Sequence, residues 1–156
     1  MTTNSKPRMA IGGLALSAAA LVALVTHEGW SDRAYIPVPG DVATIGFGTT
    51  GGVKLGDTTT PTKALVRSLA DVQKFEGALK QCVTVPLHQH EYDAWISFSY
   101  NVGASAFCRS TAARKLNAGD YEGACREMDK WIYVKGRRIQ GLVNRRAMER
   151  DLCLGI

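Results

Sequence analysis

The sequence predicts an α+β fold in two parts: a small β-hairpin region near the N-terminus, then a mainly helical lobe. Three observations predict it. Residues 35–56 are rich in Gly, Pro, Val and Thr and carry the turn "PGD". After "TTTPT" the apolar spacing becomes helical, with Leu65, Leu69, Val72, Phe75, Leu79 and Val83 on one line. The segments that follow open at cap residues or close at glycines. The chain of 156 residues is long enough for a sizeable core. Its organisation reads as an N-terminal segment, residues 1–25, and a folded domain, residues 26–156.

The N-terminal segment opens with Lys6 and Arg8 and continues with an uncharged run, residues 9–25, "MAIGGLALSAAALVALV". A positive lead before an apolar run is the plan of an export signal. Its 17 residues stand at the short end of what spans a bilayer, and six are Ala, two Gly and one Ser. Such residues add little to membrane retention, whereas Leu, Ile and Phe each favour the bilayer by a few tenths of a kcal/mol. Four readings stay open: a cleaved signal peptide, a permanent anchor, a buried core helix, and an anchor that later leaves the membrane.

"AYIPV" and "VATIGFG" read as the strands of the hairpin, with a third short strand near residues 53–55. Thr60 is placed to cap the next helix, with Pro61 at its first position. A second helix spans residues 90–102 with Ala94, Trp95 and Phe98 inward, and Gly103 ends it. "STAARKLNAG" is a short helix, Asp120 caps "YEGACREMDKWIY", "GRRIQG" is a basic turn, and "LVNRRAMERDLCL" is the last helix. Trp95 and Trp131 read as core. Arg137, Arg138, Arg145 and Arg146 read as a solvated basic face. A cleft between two such lobes is a natural ligand site.

The net charge of +5 favours an anionic partner: nucleic acid, an anionic membrane surface, or a wall polymer bearing carboxylates. No Lys/Arg stripe interleaved with aromatics occurs, which argues against nucleic acid. The four cysteines, Cys82, Cys108, Cys125 and Cys153, show no C-x-x-C spacing, which argues against zinc. In an oxidising compartment they would pair, as Cys82–Cys108 across the "SFSYNVG" helix and Cys125–Cys153 between late helices. His88, His90 and Glu91 at a helix start lack a third, separated ligand, and His27 stands apart, so no metal or other cofactor is expected.

Glu28 follows the apolar run and would be partly desolvated at its end, which disfavours the charged carboxylate. Asp41 lies in the wetter "PGD" turn and Thr44 opens "TIGFG". Two carboxyls in unequal surroundings are the minimum for glycoside cleavage. Taken alone, Glu28 reads more readily as helix-end solvation and Asp41 as a turn residue.

Four blocks in order change that weighing: "EGWSDRAYIPVPGDVATIGFGTT", "VPLHQHEYDAWISFSYNVGASAF", "STAARKLNAGDYEGA" and "GLVNRRAMERDLCL". Together they resemble the phage lysozymes (endolysins) of glycoside hydrolase family 24, over most of the chain from Glu28 onward. The resemblance implies the two-lobed lysozyme-like fold and a monomer acting on the peptidoglycan glycan strand. The implied activity is that of an endo-acting muramidase cutting the β-1,4 bond from N-acetylmuramic acid to N-acetylglucosamine. Glu28 matches the family's catalytic Glu, and Thr44 its catalytic Thr. Where the family usually has an Asp, this sequence has Pro37 and Val38, so Asp41 is the inferred replacement, with Asp32 as the fallback. The implied chemistry is inverting, with Glu28 as acid and Asp41 and Thr44 activating water. The N-terminus resembles that of signal-anchor-release endolysins. These are held in the host inner membrane, facing the periplasm, by an uncleaved weak anchor, here residues 9–25, and are then released to the periplasm. A non-catalytic, membrane-tethered peptidoglycan-binding module is the alternative.

Overall fold

A computed structural model describes residues 6–156; the first five residues of the 1–25 segment lie outside the described residues. The fold is α+β, with seven α-helices and two small antiparallel sheets among the described residues. The chain divides into two compact units. One is Ala18–Lys74, and the other joins the residues up to Ser17 to Phe75–Ile156.

The smaller unit holds α1 (Ala18–Glu28), β1 (Ser31–Tyr35), β2 (Thr44–Gly46) and the first part of α2 (Pro61–Cys82). β1 and β2 are antiparallel, with Tyr35 opposite Thr44 and Ser31 opposite Gly46. Four residue steps on β1 thus face two on β2, and the middle of β1 bulges away. That middle pairs elsewhere: Ala34 N–H donates to the Asp57 carbonyl at 3.0 Å, and Thr59 N–H to the Asp32 carbonyl at 2.9 Å. The third pairing therefore falls at Thr58, not at residues 53–55. Those residues are taken up by successive turns, closed by Val53 N–H to Thr50 at 3.2 Å and Asp57 N–H to Lys54 at 3.1 Å. β1 also stops short of Pro37 and Pro39, which have no N–H to give to a ladder.

α2 begins as the sequence predicts, with Pro61 first and Lys63 N–H donating to Thr60 Oγ1 at 3.4 Å. Its buried line is rotated from the predicted one. Leu65 and Leu69 are exposed, while Ala64, Ser68, Val72 and Leu79 are buried. Ala64 packs close against β2: a Cβ on Gly46 would stand 2.7 Å from the Ala64 Cβ, so position 46 has no room for a side chain.

The apolar run 9–25 is not one helix. Met9 is extended and bridges Leu87, Ile11–Gly13 is a single 3₁₀ turn, and α1 starts only at Ala18. No helix among the described residues is long and apolar enough to cross a membrane.

The larger unit contains the end of α2, α3 (Gln89–Val102), α4 (Ala104–Cys108), α5 (Thr111–Asn117), α6 (Tyr121–Glu127), the hairpin β3 (Tyr133–Val134) and β4 (Arg137–Arg138), and α7 (Gln140–Leu154). Caps set the helix starts: Ser110 Oγ accepts Ala113 N–H at 3.1 Å and Asp120 Oδ1 accepts Gly123 N–H at 2.9 Å. The helix predicted from Tyr121 ends at Glu127, followed by a 3₁₀ turn at Met128–Lys130. Trp95, Phe98 and Phe107 are fully buried, and half-buried Trp131 stands edge-on to Phe98 at 5.6 Å between centroids. The cysteines pair as Cys82–Cys108 and Cys125–Cys153.

A further expectation is overturned. Arg137 and Arg138 are exposed, but Arg145 and Arg146 are buried, Arg146 completely. Arg146 stacks on the Phe98 ring at 4.8 Å, donates to Asn101 Oδ1 at 2.7 Å, and pairs with Glu149 at 2.9 Å. Arg145 reaches the same carboxylate at 3.1 Å. Burial disfavours the charged Arg146 and lowers its pKa, which Glu149 opposes. The network occupies positions that a basic surface reading would leave in solvent.

Candidate active site

All three sequence-predicted site residues belong to the smaller unit. Glu28 is the last residue of α1, where Gly29 takes a left-handed φ of 75° and turns the chain toward β1. This is the usual use of glycine after a helix C-terminus. Glu28 is half-buried. Its side chain lies against the loop after β2: a Cβ built on Gly48 would stand 3.1 Å from Glu28 Oε2 and 3.3 Å from its Cβ. Gly48 also has a left-handed φ of 84°, so both conformation and space call for glycine.

That loop is closed by its own backbone, with Ile45 and Thr49 exchanging two N–H to carbonyl bonds of 3.0 Å each. Trp30 and Phe47, on either side of the hairpin, pack at 5.0 Å between centroids. Thr44 is buried at the start of β2, and its hydroxyl donates to the Val42 carbonyl at 3.3 Å. Asp41 is exposed in the turn between the strands, where its N–H donates to the Val38 carbonyl at 2.9 Å and its Oδ1 accepts Val42 N–H at 2.9 Å. Asp32 is exposed on β1 and is engaged through its backbone with Thr59.

The structure therefore brings Gly48 against Glu28, which sequence reasoning did not single out. The signal was present in "TIGFG", whose second and third small positions make sense only once the loop is seen to fold over a carboxylate. Among the described residues no group of three or more His, Cys, Asp or Glu side chains could hold a metal ion. His88 and His90 instead stack on one another at 5.3 Å, and His90 Nδ1 bonds the Leu152 carbonyl at 2.9 Å.

With this geometry in place, the comparisons are specific. The phage lysozyme family profile matches residues 25–149. The chain is 40% identical over 141 residues to the SAR-endolysin of Pseudomonas phage phiKMV, covering 88% of this chain and 87% of that one. It is 38% identical to the solved endolysin of Escherichia coli O157:H7 phage FAHEc1, with a TM-score of 0.81 over 92% of this chain and 95% of that one. It is 35% identical to P22 lysozyme, solved in a mutant form, with a TM-score of 0.80 over 90% of this chain and 99% of that one.

Proposed function

The chain belongs to the phage lysozyme family as a glycoside hydrolase of the endolysin kind, and on that premise we propose that it is an endo-acting muramidase of the peptidoglycan strand. Glu28 protonates the oxygen leaving the β-1,4 bond between N-acetylmuramic acid and N-acetylglucosamine. Thr44 and Asp41 orient and activate water on the opposite face of the sugar. That outcome is inversion, which calls for carboxyls roughly 6.5–9.5 Å apart. The observation that carries the reading is Glu28 itself: a half-buried carboxyl ending a helix, seated against Gly48, where a Cβ would come within 3.1 Å of its Oε2. A turbidity assay on outer-membrane-permeabilised cells tests it. Wild type should lyse them and Glu28→Gln should not; lysis by the Gln variant at a near wild-type rate would remove Glu28 from the mechanism. Pro37 and Val38 at the usual Asp positions favour the second reading, a peptidoglycan-binding module without catalysis. Wild type inert in the same assay would support it.

The enzyme is proposed to act as a monomer after release. Residues 9–25 first hold it in the host inner membrane, facing the periplasm, and then leave the bilayer uncleaved. Composition supports this: nine of the 17 residues are Ala, Gly or Ser. Replacing Gly12, Gly13 and Ser17 with Leu should add roughly half a kcal/mol each to retention, together about a tenfold shift toward membrane. A Cβ at Gly12 or Gly13 meets nothing within 4 Å, so at these two positions the folded form has room for the start of the new side chain. The triple variant should stay in membrane fractions and lyse late. A soluble form beginning after Ala20 or Val25 would instead mark a cleaved signal peptide.

A further inference from the structure

The first part of α2, residues 61–74, belongs to the smaller unit and shows its larger apolar residues to solvent. Ala64, Ser68 and Val72 are buried, whereas Leu65, Val66 and Leu69 are 43%, 64% and 43% exposed. A helix on a protein surface ordinarily buries its leucines, and a contiguous apolar patch in water marks an interaction site. At about 100° per residue, Leu65, Leu69, Val66 and Ala70 sweep one side of the helix, and only uncharged Thr62 and Gln73 lie among them. Lys63, Lys74 and Arg67 fall within about 40° of one another, along one edge of that stripe. All three are exposed. The Arg67 guanidinium donates to the Gly51 carbonyl at 2.7 Å, which fixes it beside the helix. Asp71 is the one acid in this stretch and pairs with Lys74 at 3.3 Å, so three cations face one carboxylate and the edge stays positive.

We propose that this stripe is a docking surface for an anionic phospholipid membrane, with α2 lying in the plane of the headgroups. Leu65, Val66 and Leu69 enter the boundary between headgroups and acyl chains, as the apolar face of an interfacial helix does. The basic edge meets lipid phosphates, and the lysine stems lie along apolar surface while their ammonium groups stay at phosphate level. A protein partner would need an apolar surface with an acidic rim on one side; an anionic bilayer offers both at every point. The helix lies on the membrane and does not span it, in keeping with its charges. The inference concerns the folded smaller unit alone, so it holds whether residues 9–25 leave the bilayer intact or are cut off. An exported chain would thereby stay at the membrane surface without an anchor.

Co-sedimentation of the full-length protein with vesicles of phosphatidylethanolamine and phosphatidylglycerol tests this, with phosphatidylcholine vesicles alongside. Residues 9–25 can enter vesicles too, so every variant keeps them and differences between variants read α2. Wild type should bind the anionic vesicles about tenfold more tightly than the neutral ones, and salt should weaken the binding. Lys63→Gln with Lys74→Gln should weaken it about tenfold or more, at about fivefold per cation. Leu65→Gln, Val66→Gln and Leu69→Gln together should weaken it by about tenfold or more as well. Val134→Gln, at a half-exposed position of the larger unit, should bind like wild type. Binding by both α2 variants as tight as that of wild type would overturn the proposal, and so would an equal loss in Val134→Gln. A wild-type dimer that the triple Gln variant turns into monomers, with vesicle binding unchanged, would overturn it too and assign the stripe to a second copy of the chain.

Discussion

The two units are built on different principles. The larger one is fastened by two disulfides, a cluster of buried aromatics and a buried arginine–carboxylate network. The smaller one has no disulfide, strands of five and three residues, and many large apolar side chains in solvent, among them Trp30, Val38, Val42 and Leu55. Every candidate catalytic residue is on the smaller unit. It has close approaches at Gly46 and Gly48, where an added Cβ would meet Ala64 and Glu28. The covalent fastenings thus lie in the unit that does not hold the candidate catalytic residues.

The sharpest test separates activity from stability. Glu28→Gln should cost about 10²-fold or more in lysis, the scale of general-acid catalysis, while the melting temperature stays within a few degrees. Removing the Cys125–Cys153 bridge with two serines should do the reverse. A loop of 28 residues corresponds to about 3–4 kcal/mol of lost stability, with kcat on intact walls little changed at low temperature. If the bridge variant melts like wild type but lyses poorly, the division of labour is wrong.

Much of the larger unit was legible because its signals are local. Gly103, Ser110 and Asp120 punctuate helices at single positions, and the periodic apolar residues between them need no distant partner. The disulfide pairing was legible as well, since each pair brackets or joins neighbouring helices. What could not be read is long-range. Arg146 looks like surface until Phe98 and Glu149 are brought around it. The β1 bulge depends on Thr58 competing with β2 for the same strand. The phase of α2 shows only once Ala64 is seen packed against Gly46, and the contacts of residues 6–17 are with carboxylates 60 to 83 positions away.

Gly46→Ala would strike a close approach in the smaller unit. The new methyl meets Ala64 at 2.7 Å, and Gly46 has a left-handed φ of 64°. Left-handed strain costs about 1–2 kcal/mol and overpacking about 1–3 kcal/mol more. Thermal unfolding should show the loss, and lysis should fall with it. Within the same unit, Asp41→Asn should reduce lysis more than Asp32→Asn. Equal or reversed losses would move the second carboxylate role to Asp32 or leave Glu28 to act with Thr44 alone.

The smallest effect belongs to the larger unit and depends on pH. Glu127 is buried and accepts from Lys115 at 2.6 Å and from Lys130 at 2.9 Å. Those two ammonium groups, Lys115 first, hold its carboxyl below the ordinary glutamate value. A carboxyl depressed in the folded state contributes stability above its unfolded pKa of about 4.3 and loses it as pH falls through the folded value. Both lysines reach solvent, with side chains 38% and 71% exposed, so screening limits the contribution to about 1 kcal/mol. Glu127→Gln should therefore lower the melting temperature slightly at pH 7 and flatten its fall below about pH 4. High salt should shrink the difference from wild type. Activity per folded molecule should not change, because Glu127 and both lysines lie in the larger unit, while Glu28 lies in the smaller. A lysis defect in Glu127→Gln at pH 7, with the fold intact, would show that the two units are not divided between stability and chemistry as described.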